Sequence, residues 1–203
     1  MFTRAIVRIP GINFADGLTT ATLGLPDYSI VLTQHDHYCK ALKQCGLDLV
    51  VLPPDERFPD STFVEDTAVL TDRLAVITRP GAETRLGEEA AILTELRKHY
   101  QADQIHRIQS PGTLDGGDIC DADGHFFIGL SERTNLEGGK QLAEILKSAG
   151  YTSEFVDVTK IPGILHLKSG MAYLGDEVMV LMGALSELDI FKRYKIIRVA
   201  EPE

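Results

Sequence analysis

Three stretches of the chain superimpose at a constant step of 52 residues: Asp66 opens DTAVLTDRLAVITR, Asp118 opens DICDADGHFFIGLS and Gly170 opens GMAYLGDEVMVLMG. In each, two short apolar segments flank a polar turn, placed at Thr71-Asp72, Asp123-Gly124 and Gly175-Asp176. This is the pattern of a β-hairpin. A step near 50 residues marks one supersecondary unit used repeatedly, and function is sought where equivalent loops of a cyclic repeat meet.

Each hairpin leads into a helix. After Pro80-Gly81, the residues Leu86, Ala90, Leu93 and Tyr100 recur at helical spacing. Thr134 and Glu137 read as a capping box ahead of the apolar face Leu142, Ile145, Leu146 and Ala149, which ends at Gly150. A shorter helix is expected over 184–194, and the first, about 27–45, carries Val31, His35, Tyr38 and Leu42 on one face. Between each helix and the next hairpin lies one more strand, at Leu49–Leu52, Ile105–Ile108, Phe155-Val156 and Ile196-Ile197. The repeat is a ββαβ-type unit, an α/β design, and no linker breaks the series.

The opening segment Ala5–Gly11 resembles the second hairpin strand at Ala75–Gly81, so the first unit starts halfway through. Lys195–Val199 reads as the opening strand of a further unit. A ring closed from such units avoids bare strand edges, and on that ground one module of about 50 residues is expected beyond the sequence.

At 203 residues the chain has the length of one domain, 1–203. Its three cysteines, Cys39, Cys45 and Cys120, are odd in number and lack metal-type spacing, which points to reduced thiols in a cytoplasmic protein. No signal-like start and no apolar run of about 18 residues occurs, so no membrane partner is expected. A formal charge of −10 argues against nucleic acid and is compatible with a cationic ligand. No His or Cys pair falls at ligand spacing, so no metal is expected.

The loops just before the hairpins read Asp60-Ser61-Thr62-Phe63-Val64-Glu65-Asp66, then Leu114-Asp115-Gly116-Gly117-Asp118, then His166-Leu167-Lys168-Ser169-Gly170. Arrangement about an axis brings these carboxylates and the histidine to one mouth. Arg85 and Arg133 hold a second equivalent position, at the start of the helix after each hairpin. A cation there opposes the helix dipole, so binding an anion accounts for it better than local stability does. Paired carboxylates suit a planar guanidinium and arginines suit a carboxylate, so the ligand read from these residues is an arginine-like zwitterion. Without a further signal, the acids are equally readable as turn residues, the arginines as surface charges and Gly116-Gly117 as a tight turn.

The segments LPPDERFPDSTFVEDTAVL, ITRPGAETR, TLDGGDI, GLSERTN and LHLKSG, in this order, resemble those of the dimethylarginine dimethylaminohydrolases of the guanidine-modifying superfamily. The resemblance runs through the chain and implies the pentein fold, a five-bladed α/β-propeller of which about four modules are present. It implies hydrolysis of Nω-methylated arginine to citrulline and a methylamine, with no cofactor, and a homodimer as a family expectation. Carried over, Asp60, Glu65 and Asp66 bind the guanidinium, Arg85 and Arg133 bind the amino acid carboxylate, and Leu18 contacts the ligand. His166 serves as general acid and then base with Asp115 as its acidic companion.

Guanidinium is resonance-stabilised, so the chemistry needs a strong nucleophile, and the family uses a cysteine thiolate near its C-terminus. None of the three cysteines matches that motif, so the nucleophile is expected C-terminal to Glu203. Two alternatives stand beside this expectation: an arginine deiminase-like hydrolase, and a non-catalytic binder of arginine-like ligands.

Overall fold

The computed structural model describes residues 2–20 and 22–199 and divides into two compact units, Met1–Val64 with Thr84–Ala90, and Glu65–Glu83 with Ala91–Glu203. In the first unit β1 (Arg4–Arg8) lies parallel to β2 (Asp48–Leu52), Ile6 opposite Val50. They are joined by α1 (Tyr28–Gln44), within one residue of the expected 27–45. Asp27 starts this helix because its carboxylate accepts the N–H groups of Ser29 and Ile30, two of the donors a helix leaves unpaired. Gly46 ends it at φ +85°, where a side chain is strained.

The second unit holds three sheets of one design. β3 (Ala68–Leu70), β4 (Ala75–Ile77) and β5 (Ile105–Arg107) form the first. β6 (Ile119–Ala122), β7 (His125–Leu130) and β8 (Thr152–Asp157) form the second; β9 (Met171–Gly175), β10 (Val178–Met182) and β11 (Lys195–Val199) form the third. In each, an antiparallel hairpin is followed by a strand parallel to the hairpin's second member. The β1–β2 pair repeats only the parallel half, as expected from the likeness of Ala5–Gly11 to Ala75–Gly81.

The turns differ in chemistry. Asp123-Gly124 sits between the paired residues Ala122 and His125, and both take positive φ, as the right-handed twist of a two-residue hairpin requires. The third turn is displaced by one residue from the expected Gly175-Asp176. Asp176 and Glu177 hold positive φ between the paired residues Gly175 and Val178, and the register slips beside them because Leu174, next to Gly175 at φ +89°, is left without an opposite in β10. The first is a four-residue loop, Thr71–Leu74, closed by the Thr71 N–H on the Leu74 carbonyl, with the Thr71 hydroxyl accepting from Leu74 N–H.

Of the helices, α2 (Glu89–Leu96) and α3 (Leu136–Ser148) follow the first two hairpins. The segment expected at 184–194 breaks into α5 (Gly183–Ser186) and a single 3₁₀ turn at Asp189–Phe191. The capping box of α3 is corrected as well: Asn135 is the cap, its side chain accepting from Gly138 N–H, and Thr134 is turned inward to another task. Both faces of β7 are buried. Phe126 packs with Val76, Ile128, Leu142 and Leu146, whereas Phe127, pointing the other way by the period of a strand, packs with Leu167, Met179, Leu181 and Phe191. One strand thereby ties the second sheet to its neighbours on either side and fixes the loops that precede them.

Candidate active site

A short helical turn stands before the first strand of every hairpin: Val64–Thr67, Gly116–Asp118 and α4 (Leu167–Gly170), which His166 precedes. In the second unit these three equivalent positions converge on His166. Its Nδ1 lies 3.4 Å from an Asp118 oxygen, and its Nε2 lies 4.0 Å from Asp66 and 4.0 Å from Asp115. The His166 side chain is 14% exposed.

Two glycines make this approach possible, and they lie in the tight turn that their pairing suggested, closed by the Asp118 N–H on the Asp115 carbonyl. A Cβ on Gly116 meets the Glu65 carbonyl at 2.1 Å, and one on Gly117 meets Asp66 Oδ1 at 2.8 Å and the His166 ring at 2.9 Å. The pair is required because backbone and ring pass too close for any side chain. Gly117 N–H also donates to Asp66 Oδ1, which orients that carboxylate. Asp115, 1% exposed, accepts the Gly81 N–H at 2.8 Å.

Burial lowers the His166 pKa, but the Asp118 hydrogen bond and the charges of Asp66, Asp118 and Asp115 together outweigh it, so the net shift is upward. The shift favours the protonated form relative to a free imidazole, and that form is the one a proton donor needs. Asp66, Asp115 and His166 also lie close enough together to bring one ligand atom each toward a common point. A cation, whether a guanidinium or a metal ion, is what such a trio attracts.

In the same unit Glu65 is ion-paired with Lys168. Arg133 is half-buried, and among the described residues its guanidinium makes no hydrogen bond or ion pair. Its backbone N–H is held by the Ser131 hydroxyl.

In the first unit Leu18 is half-exposed, and its N–H donates to both oxygens of Asp60 at 3.1 and 3.2 Å. The Arg85 guanidinium is buried, paired with Glu88 through Nε and Nη2, and also donates to the carbonyls of Asp60 and Phe63. Arg85 belongs to a 3₁₀ turn, Glu83–Arg85, and Arg133 precedes the Asn135 cap of α3. Both therefore lie ahead of the helix they were expected to start, and the dipole argument does not apply to them.

A family model described as N,N dimethylarginine dimethylhydrolase, eukaryotic, matches residues 27–198. The chain is 44% identical, over all 203 residues, to the N(G),N(G)-dimethylarginine dimethylaminohydrolase of Pseudomonas aeruginosa, of which it covers 78%. The chain belongs to the dimethylarginine dimethylaminohydrolase family. It is also 35% identical over 178 residues to the Streptomyces coelicolor protein of that name, covering 67% of it.

Among solved structures, a Cys→Ser variant of the Pseudomonas family member complexed with citrulline matches with a TM-score of 0.94 at 44% identity, over 98% of this chain and 76% of that one. The N-terminal domain of a cyanobacterial arginine dihydrolase matches at 0.83 with 16% identity, over 99% and 76%. At that identity the likeness shows the α/β fold alone.

The family's chemistry needs a thiolate, and the cysteine of the second unit is unsuited to it. Cys120 is 5% exposed on β6, and burial pushes its thiol pKa up. Cys39 is half-buried on α1 and Cys45 is exposed at its end. Sequence reasoning placed Asp118 among the loop carboxylates of the mouth but gave it no role of its own, although it is the carboxylate nearest the histidine. The signal was there, since Asp118 stands in the same loop as Asp115.

Proposed function

We propose that this protein hydrolyses Nω-methylated arginine to citrulline and a methylamine. The observation that carries the proposal is a single half-buried imidazole, biased toward its protonated form, facing Asp66 and Asp115 through one nitrogen and Asp118 through the other. This is a proton donor set among groups that attract a cation.

In the reaction a cysteine thiolate adds to the guanidinium carbon. The C–N bond to the methylamine breaks as His166 gives that nitrogen a proton. Water then adds to the thiouronium carbon, His166 takes up its proton, and the C–S bond breaks to leave citrulline and the thiol. The carboxylates hold the positive charge throughout. The family resemblance gives this role to none of Cys39, Cys45 and Cys120.

The family resemblance assigns the guanidinium to Asp60, Glu65 and Asp66, the amino acid carboxylate to Arg85 and Arg133, a ligand contact to Leu18, and the acidic partnership with His166 to Asp115. Support within the second unit is the unengaged Arg133 guanidinium and the placement of Asp66 and Asp115 on the Nε2 side of His166. We further propose one pentein domain, a cytoplasmic setting, supported by three unpaired cysteines, and a homodimer, carried by the family alone. Among the described residues no helix is long and apolar enough to cross a membrane.

The test is citrulline release from Nω,Nω-dimethylarginine, with free arginine in parallel. Release from the methylated substrate alone supports the proposal. Release from arginine favours the deiminase reading, and saturable binding of dimethylarginine with no release from either favours a non-catalytic binder.

A further inference from the structure

We propose that Asp118 is the positioning residue of His166, holding the ring by Nδ1 so that the neutral imidazole is the Nδ1–H tautomer and Nε2 is the nitrogen that exchanges protons with the substrate. The proposal rests on His166 being the acid and base of the hydrolysis.

Asp118 has no exposed surface, and both of its oxygens accept. Oδ2 receives the Thr134 hydroxyl at 2.6 Å and the Ser131 hydroxyl at 2.7 Å; Oδ1 receives the Leu167 N–H at 2.9 Å. The hydroxyl protons can be placed with no freedom left over. Ser131 Oγ accepts from Arg133 N–H and Thr134 N–H, and Thr134 Oγ1 accepts from Asp115 N–H, so each hydroxyl has only its own proton to give and gives it to Asp118. A group that only accepts is a carboxylate, and its remaining neighbour, Nδ1 at 3.4 Å, must supply the proton between them.

The backbone was shaped for this contact. A Cβ on Gly129 of β7 meets the Leu167 Cβ at 2.7 Å and Asp118 Oδ1 at 3.1 Å, so glycine lets α4 and the carboxylate close on the strand. Asp118 grips both the ring of His166 and the amide of the next residue, which fixes position and rotation together.

This divides the three carboxylates around the ring. Asp66 and Asp115 lie on the Nε2 side, 4.0 Å away, where a cationic substrate is held; Asp118 lies behind the ring, with Ser131, Thr134 and the Nδ1 of His166 on Oδ2 and the Leu167 N–H on Oδ1. The acidic companion taken from the resemblance, Asp115, therefore shares its side with the substrate and cannot orient Nδ1. An oriented imidazole is what lets one residue act as acid in the first half of the reaction and base in the second, as the orienting acid does for other catalytic histidines.

The experiment is imidazole ¹⁵N NMR of the whole protein across pH, with the His166 signal identified by its loss in His166→Gln. We expect the neutral wild-type ring to be Nδ1–H. In Asp118→Asn the tautomer moves to Nε2–H and the His166 titration falls by about 1 to 3 pH units. Citrulline release by that variant falls by about 100-fold or more while its Kd for dimethylarginine changes less than about threefold. A wild-type ring found as Nε2–H, or a folded Asp118→Asn with an unchanged tautomer, overturns the proposal. If Asp118→Asn does not fold, the wild-type spectrum still decides, and Ser131→Ala, which frees one acceptor site of Asp118, is expected to shift the titration while keeping the tautomer. A wild-type protein that shows Nδ1–H yet neither binds nor converts dimethylarginine removes the hydrolase reading and leaves the positioning assignment standing.

Discussion

The Lys168 ammonium is ion-paired with Glu65, one of the carboxylates assigned to the substrate guanidinium. Both groups are partly exposed, at 28% and 66%, so the pair is worth at most about 1 kcal/mol in water. A cationic substrate must nevertheless displace it, or share Glu65 with a second positive charge. Lys168→Met is therefore expected to tighten dimethylarginine binding by up to about fivefold and to change its salt dependence, with the melting temperature within about 2 °C of wild type. Calorimetric titration at two salt concentrations checks both.

Folding stability should carry the signature of His166. Its folded pKa is raised by Asp118, Asp66 and Asp115 against the opposing pull of burial. The raised value contributes stability that is fully present below the unfolded pKa of about 6.5 and is lost as pH rises through the folded pKa. Each pH unit of elevation is worth about 1.4 kcal/mol. Urea unfolding of wild type and His166→Gln at pH 5.5, 7 and 8.5 is expected to show the wild type losing stability relative to the variant across the upper interval. A constant difference between them refutes the assigned direction.

Gly117 offers a steric test without a backbone-strain confound, because its φ is not in the left-handed region. In Gly117→Ala the new Cβ lies 2.8 Å from Asp66 Oδ1 and 2.9 Å from the His166 ring, so both must move. We expect a cost of about 1 to 3 kcal/mol in stability and a loss of citrulline release larger than that destabilisation explains. Equal activity per folded molecule would mean that the ring has another way to reach its place.

Much of this was legible from the pattern alone, for physical reasons that also mark where it fails. Short apolar runs and the turn residues between them repeat every 52 positions, and the three sheets of the second unit follow them because each run is bounded by residues that favour a turn. The third turn was misplaced because glycine is the expected carrier of positive φ in a turn: Gly175 takes it, but as the last paired residue of β9, and Asp176 and Glu177, also at positive φ, make the turn. Thr134 was misread because a threonine three residues before a glutamate looks the same whether its hydroxyl caps a helix or anchors Asp118. The loop acids were visible as a group, but no sequence states which of Asp115 and Asp118 meets which ring nitrogen; that depends on how close Gly117 and Gly129 let the backbone come. Nor did spacing reveal that Arg85 is buried while Arg133 is not.

The thiols give an independent handle on the nucleophile. Cys120 is buried with its pKa raised by burial, while Cys45 is exposed. Labelling by a disulfide reagent at pH 8 is expected to modify Cys45 rapidly and Cys120 only on unfolding. Cys120→Ala should leave dimethylarginine binding unchanged and cost about 1 kcal/mol of stability for a small buried side chain. Loss of citrulline release in Cys120→Ala with binding retained would instead make it the nucleophile.

Arg85 and Arg133, treated as equivalents by the repeat, should separate cleanly on mutation. Arg85→Ala strips an ion-pair partner from a Glu88 carboxylate whose side chain is 2% exposed and takes a donor from each of the Asp60 and Phe63 carbonyls. Breaking such a buried pair costs about 3 to 5 kcal/mol, so this variant is expected to melt well below wild type whatever it does to binding. Arg133→Ala removes a half-buried guanidinium that makes no hydrogen bond or ion pair among the described residues. Its melting temperature should stay within about 2 °C of wild type, while dimethylarginine binding weakens by about 1.5 to 3 kcal/mol through the lost charged hydrogen bonds. Citrulline binding should weaken in parallel, since substrate and product share the amino acid end. A ligand lacking its carboxylate should be bound equally by wild type and Arg133→Ala, and a difference for that ligand would mean that Arg133 acts somewhere other than on the carboxylate.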